Sequence, residues 1–189
     1  FIHYEQQMTY NEGIDVWVAD ASHEKYVGAI LKTIADAAKV RGSGIASRTH
    51  EYVAQKMRER KAIIALHGEE FAGFCYIESW EDKHYVANSG LIVVPKFRQH
   101  HLATRIKETA FTLSRLRWPH AKLFGLTSQG AVMKINTKLG YVPVPLCDLT
   151  QDDEYWKGCG TPDHPCCINC DILARTGRKY CVCTGMLYD

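Results

Sequence analysis

The sequence predicts a mixed α/β (α+β) fold: a mainly antiparallel sheet flanked by helices, with a cysteine-rich C-terminal extension. Three observations lead to it. Short apolar, β-prone runs and helical stripes follow one another in the order β-α-α-β-β-β-α-β-α-β, which a mixed sheet covered by helices accommodates. Hydrophobic residues make up 46% of the 189-residue chain and charged residues 23%, enough apolar material for one sizeable core. All cysteines except Cys75 fall within residues 147–189, so the end of the chain is chemically distinct. Residues 1–146 are expected to form the core, and residues 147–189 an extension that completes the same domain.

Residues 14–20 alternate in apolar character and read as a strand. Ser22 is the expected N-cap of a helix in which Val27, Ile30, Leu31, Ile34 and Ala38 recur every three or four residues. Arg41-Gly42-Ser43-Gly44 breaks that helix, and a second is expected over residues 49–60. Three apolar segments, 62–66, 71–77 and 85–94, joined by polar turns at Gly68-Glu69-Glu70 and Glu81-Asp82-Lys83, form an antiparallel meander. After Pro95 the pattern becomes helical. Leu102, Ile106, Ala110 and Leu113 make one stripe, Arg105, Lys107 and Arg115 lie off it, and Trp118-Pro119 ends the helix. A strand over residues 122–126, a helix ending at Leu139 before Gly140, and an edge or extended segment at 141–146 with two prolines complete the core.

A formal charge of +2, from 23 basic and 21 acidic side chains, gives no long-range field for nucleic acid or an anionic membrane, so any anion must be bound locally. No apolar run approaches the roughly 20 residues needed to span a bilayer, and Phe1-Ile2-His3-Tyr4-Glu5-Gln6-Gln7 lacks a charged-then-apolar signal pattern. A cytoplasmic location is the default expectation. Eight cysteines in such a chain are then reduced thiols or metal ligands rather than a disulfide framework. A homodimer is an arrangement the sequence leaves open.

The segment Val94-Pro95-Lys96-Phe97-Arg98-Gln99-His100-His101-Leu102-Ala103 carries a strand end through a tight polar turn into a helix. Such a junction points several free backbone N–H groups at one place and, with the helix dipole, suits a pyrophosphate. Arg98 and Lys96 can add charge-assisted contacts. The same residues also suit an ordinary strand-to-helix turn with solvated basic side chains.

In this turn and in the order of its elements the sequence resembles the GNAT superfamily of acyl-CoA N-acyltransferases. The family's turn reads Arg/Gln-x-x-Gly-x-Gly/Ala; Arg98 and Ala103 keep it, and His101 stands where the family has glycine. Histidine there gives up the easy positive φ and the close approach of phosphate to backbone. A second likeness is Thr127-Ser128-Gln129-Gly130 followed by Lys138-Leu139-Gly140-Tyr141, similar to the family's polar turn, short helix and Leu-Gly-Phe or Leu-Gly-Tyr. The resemblance spans roughly residues 14–146. It implies acetyl-CoA or another acyl-CoA as cosubstrate, held by Val93, Val94, Arg98, Gln99, His100, His101, Leu102, Ala103, Thr104, Ser128 and Gln129.

The resemblance also implies a mechanism in which a neutral amine attacks the thioester directly, with no covalent acyl-enzyme. Backbone amides around residues 91–94, beside a bulge at Gly90, would polarise the carbonyl. Glu78 is the nominated base, with Glu81 and His84 behind it and a water relay as the alternative. The family's thiolate-protonating tyrosine falls at Asn136, whose amide is no acid at neutral pH, so the proton must come from water or from a tyrosine or cysteine elsewhere. Acceptor selection falls to the loop at residues 41–48 and the C-terminal strands. Arg41 and Arg48 suit a carboxylate, hence an amino acid acceptor, and equally suit solvent. A looser likeness to a bacterial GNAT subgroup of arginine biosynthesis, N-acylglutamate synthase-like, lies in Gly44-Ile45-Ala46, Lys61-Ala62-Ile63-Ile64-Ala65 and Cys183-Thr184-Gly185-Met186-Leu187-Tyr188. It implies glutamate as small-molecule acceptor, with acetyl or succinyl as the donor group. A protein or peptide N-acetyltransferase with an open acidic groove is the alternative enzyme. His101 and Asn136 keep a non-catalytic acyl-CoA-binding or partner-binding domain open.

Cys159, Cys166, Cys167, Cys170, Cys181 and Cys183 fall within 25 residues, and Cys167-Ile168-Asn169-Cys170 has chelating spacing. A structural zinc held by Cys159, Cys167, Cys170, Cys181 and Cys183, with Cys166 and His164 as substitutes, is one reading. Buried free thiols in a last strand where Tyr180 and Val182 alternate with Cys181 and Cys183, or a disulfide formed on isolation, are the others.

Overall fold

The computed structural model describes residues 13–40, 45–98, 101–160, 163–167 and 170–189. Among them the strands are β1 (Ile14–Val18), β2 (Ala62–His67), β3 (Glu70–Trp80), β4 (Tyr85–Val93), β5 (Lys122–Thr127), β6 (Val142–Val144) and β7 (Thr184–Tyr188), forming one sheet in the order β1-β2-β3-β4-β5-β7-β6. The α-helices are α1 (Val27–Ala38), α2 (His50–Arg58), α3 (Leu102–Arg117), α4 (Gly130–Leu139), α5 (Asp153–Lys157) and α6 (Cys170–Arg175). Every neighbouring strand pair is antiparallel except β4 with β5. The expected mixed sheet is therefore present, and none of the described helices is long and apolar enough to cross a membrane.

Side-chain alternation along β2 divides the molecule into layers. Ile63 and Ala65 face a core shared with Leu102, Ile106 and Ala110 of α3, while Ala62, Ile64 and Leu66 face the core under α1 and α2. A strand covered on both faces is apolar throughout, which is why residues 62–66 show no polar alternation. A third cluster packs Leu149, Trp156 and Leu173 of the C-terminal extension, with Leu146 just before it, onto Ala87 and Phe124.

Local chemistry moves several boundaries. Asp20, not Ser22, caps the turn before α1: its carboxylate accepts from the Ser22 backbone N–H and hydroxyl, while the Asp20 N–H donates to His23 Nδ1. A charged acceptor outcompetes a hydroxyl for the free amides of a helix start. The α2 cap is Thr49, whose hydroxyl accepts from the Tyr52 N–H at 3.1 Å. The last strand begins only at Thr184, so residues 180–183 precede it; Tyr180 and Val182 are exposed while Cys181 and Cys183 between and after them are half-buried. β6 sits at the sheet edge, where a proline lacking an N–H disturbs no second ladder. Lys107, expected on the solvent side of its helix, is only 3% exposed. Tyr141 and Tyr188 cover a second side of α3, meeting Phe111 at ring distances of 5.9 and 5.0 Å, and the Tyr141 ring covers the Lys107 ammonium.

Two features of β4 shape the site. Its parallel pairing with β5 covers only Tyr85 with Lys122, Val86 with Leu123 and Ala87 with Phe124; beyond that point the strands part. Against β3, Phe74 faces Ile92 but Tyr76 faces Ser89, so β4 holds one extra residue in a bulge at Gly90 and Leu91. Gly90 has φ +66°, and a Cβ there would lie 2.5 Å from Tyr76 Cε1. Glycine is required on both counts.

Candidate functional site

The parted strands open a cleft of about 670 Å³. Residues 88–93 of β4 form one wall, residues 125–129 with Val132 and Asn136 of α4 the other, and Ala103 and Lys107 of α3 also line it. Past Ala87 the side of β4 toward β5 has no ladder partner, leaving backbone donors and acceptors open to an extended, amide-bearing occupant.

At the end near the turn, Val93, Arg98, Ala103, Ser128 and Gln129 line the cleft, whereas Val94, His101, Leu102 and Thr104 do not. Leu102 is fully buried in the core. Gln99 and His100 lie outside the described residues. His101 has φ +55° and is the N-cap of α3 without a side-chain hydrogen bond, so the histidine adopts the left-handed conformation that glycine would take more easily. Arg98 Nε donates to the Val93 carbonyl at 3.3 Å, holding the guanidinium beside the end of β4. Lys96 is drawn instead into an ion pair with Glu70.

Midway along the cleft are three buried polar side chains. Asn88 Nδ2 donates to Ser114 Oγ at 2.8 Å, but its Oδ1 has no partner. Asn136 is 3% exposed; its Nδ2 meets Met186 Sδ at 3.6 Å, and its Oδ1 is also unpartnered. The Lys107 Nζ lies 4.9 Å from the Tyr141 ring centroid, and burial pulls its pKa down from 10.5 to about 8.

At the far end, Arg48 Nε donates to the Tyr76 hydroxyl at 2.9 Å, and its Nη1 donates to the carbonyls of Ser47 at 2.9 Å and Gly158 at 3.4 Å. The Ser47 N–H donates to the Cys166 carbonyl at 2.7 Å, tying this loop to the C-terminal extension. Tyr52 and Tyr76 meet edge to face at 5.5 Å, with Trp80 and Tyr155 in the same lining. Burial pushes the phenols of Tyr52, Tyr76 and Tyr155 up, so all three are neutral donors near pH 7. Glu78 lies within β3 rather than just beyond it. Its carboxylate is paired with Lys56, accepts from Tyr52 at 3.4 Å, and lines the cleft. Glu81 instead accepts the Thr150 hydroxyl at 2.6 Å, and His84 is exposed; neither lines the cleft. Arg41 lies outside the described residues.

Cys159, Cys166, Cys167, Cys181 and Cys183 line this end too, while Cys170 is buried away from it. Among the described residues no group of three or more His, Cys, Asp or Glu side chains is placed to hold a metal ion, so the zinc arrangement expected from Cys159, Cys167, Cys170, Cys181 and Cys183 is not found there. Cys181 and Cys183 engage each other: the Cys183 N–H approaches Cys181 Sγ at 3.4 Å, and hydrogen bonding from Cys183 holds the Cys181 thiol below its ordinary pKa.

Sequence reasoning did not single out Asn88, Tyr52, Tyr76, Lys107 or Tyr155. Lys107 follows Ile106 in the helix but lies off its apolar stripe, and nothing local distinguishes it from a solvated lysine.

No family model matches the sequence, and neither does any curated protein. Solved structures do match its fold. N-acetylglutamate synthase from Neisseria gonorrhoeae, complexed with coenzyme A and N-acetyl-glutamate, superposes with a TM-score of 0.63 at 12% identity over 92% of this chain and 34% of its own. A Mycobacterium tuberculosis protein in complex with CoA gives 0.62 at 14%, over 92% of this chain and 97% of its own. The Salmonella typhimurium protein yncA, with its cofactor acetyl-CoA, gives 0.61 at 11% and 93% of each chain. The chain thus spans about a third of the gonococcal synthase and nearly all of the other two. The chain shares the fold of these three structures, as its resemblance to the GNAT superfamily implies.

Proposed function

Starting from that fold, we propose that the chain moves an acetyl or other short acyl group from acyl-CoA to the amine of a small acceptor bearing a carboxylate, an amino acid such as glutamate. The observation that carries this reading is the parting of β4 and β5 beside the Gly90 bulge, in a cleft that ends at Arg48. The free side of β4 suits the amides of the pantetheine arm, and the start of α3 with Arg98 suits the pyrophosphate. The backbone of residues 91–94 is the seat for the thioester carbonyl. Among the described residues Arg48 has no carboxylate partner, and a substrate carboxylate supplies one. Both carboxylates in the lining are ion-paired, Glu154 with Lys157 at the surface and Glu78 with Lys56 in a half-buried position beside Tyr52; Glu78 takes the amine proton directly or through water. On this reading residues 1–146 are the CoA-binding core, residues 147–189 complete the acceptor end, and the activity belongs in the cytoplasm, where the cysteines of such a chain stay reduced. The gonococcal synthase, complexed with coenzyme A and N-acetyl-glutamate, agrees with a dicarboxylic acceptor.

Free-thiol release from acetyl-CoA and succinyl-CoA, measured with amino acids, polyamines, aminoglycosides and peptides, tests the proposal. Release with acidic amino acids is expected. Release with peptides alone replaces the acceptor class, and CoA binding without release on any acceptor replaces the enzyme by a binding domain.

A further inference from the structure

Among the charged side chains lining the cleft, Lys107 differs from the rest. Arg48 and Arg98 donate hydrogen bonds and Glu78 and Glu154 are in ion pairs, whereas Lys107 forms neither kind of contact among the described residues. Its position along the cleft follows from α3. The helix starts at Leu102, just past the end of β4, and runs back so that Ser114 bonds to Asn88, the first β4 residue beyond the paired segment. Lys107 is two helical turns before Ser114, about 10 Å along the axis. It is therefore level with the Gly90–Leu91 bulge, between the turn and the vertex of the parted strands. Asn136 lines the same cleft with an unpartnered Oδ1, and the Tyr76 phenol, whose ring packs against Gly90, is already engaged by Arg48.

We propose that Lys107 protonates the departing CoA thiolate, a step the Asn136 amide cannot perform. The acceptor nitrogen forms a C–N bond at the thioester carbonyl carbon. The C–S bond breaks with its electron pair going to sulfur, and one proton passes from the Lys107 ammonium to that sulfur, leaving CoA thiol and a neutral lysine. The proton lost by the acceptor nitrogen returns to Lys107 through water, so the cycle closes without net gain or loss. The groups facing Lys107 are the Cys75 thiol on β3, which burial pushes up to about 11, and the phenol of Tyr141, which burial also pushes up. Both are neutral near pH 7, so an arriving thiolate is the counter-charge this ammonium lacks. A lysine near 8 and a thiol near its ordinary value exchange a proton with little free-energy difference in either direction.

This inference rests on the acyl-CoA reading, and the test separates the two. CoA and desulfo-CoA are bound to the purified protein, and the ultraviolet thiolate absorbance of bound CoA, taken as the difference between the two complexes, is followed over roughly pH 5 to 10. In the wild type the bound thiol is expected to ionise with a constant at least about tenfold larger than that of free CoA. Lys107→Met should abolish the increase, and Lys107→Arg, which keeps the cation, should retain it. Wild-type CoA that ionises no more readily when bound than when free overturns the proposal without recourse to any variant, as does a Lys107→Met complex that titrates like the wild type. Failure of the wild type to bind either compound sinks the acyl-CoA reading and this inference with it. Binding of both without a change in thiol ionisation sinks the role of Lys107 alone.

Discussion

Replacing Gly90 by alanine tests the bulge on which the cleft depends. Two costs are expected. Holding a non-glycine residue at φ +66° costs about 1–2 kcal/mol. Placing a Cβ 2.5 Å from Tyr76 Cε1 and 2.8 Å from its Cδ1 overpacks a ring that is only 4% exposed, for about 1–3 kcal/mol more. Gly68 provides the comparison, with φ +61° and nothing within 4 Å of a built Cβ, so Gly68→Ala carries the backbone cost alone. Urea unfolding of both variants with unchanged m should place Gly90→Ala below Gly68→Ala by about 1–3 kcal/mol. The ring that must move also accepts the Arg48 hydrogen bond, so Gly90→Ala should raise the acceptor KM as well. If the two variants lose equal stability within about 0.5 kcal/mol, the close approach of Tyr76 to the bulge is not what requires glycine.

Other perturbations follow from the same geometry. Lys107 has a folded-state pKa of about 8 against 10.5 for the free side chain, so the unfolded chain binds more protons between those values and the native state gains stability as pH rises through that window. Below pH 8 the full penalty applies, about 3 kcal/mol, and Lys107→Met should be more stable than wild type at pH 7 by up to that amount; parallel stability curves from pH 7 to 10 would count against this. His101→Gly removes a side chain from the left-handed region and should raise the unfolding free energy by up to about 1 kcal/mol while tightening CoA binding, and a loss of stability would contradict the strain. Arg48→Lys keeps the charge but loses the planar fork. It should raise the KM for an acidic amino acid about tenfold with a smaller change in kcat, and an unchanged KM would remove Arg48 from carboxylate binding.

Much of the fold can be read from local pattern. The stripe of Leu102, Ile106 and Ala110, the Gly140 helix stop at φ +103° and the edge position of the Val142–Val144 strand are all consequences of periodicity and backbone freedom within a few residues. Tertiary packing decides the rest. Lys107 reads as a surface lysine because its burial beside Cys75 and Tyr141 joins residues far apart along the chain that converge only in the folded sheet. Arg48 could be picked out as a loop arginine, but its bond to Tyr76 depends on the β3 register, and its bond to Gly158 joins segments 110 positions apart. The chelating spacing of Cys167 and Cys170 describes neighbours in sequence. It does not describe which way Cys170 is buried or that Cys181 and Cys183 engage each other. Asp20 rather than Ser22 is the cap because the helical turn starts two residues earlier, at Ala21, where the Asp20 carboxylate reaches the Ser22 N–H and hydroxyl.

The most direct measurement of the central claim is amide hydrogen exchange of the full chain with and without acetyl-CoA. Slowed exchange in residues 88–94, at the start of α3 and in residues 127–132 is the predicted result, because an occupant between β4 and β5 closes the open side of β4. Acetyl-CoA that leaves exchange in those three segments unchanged, whether or not it protects another surface, would contradict it.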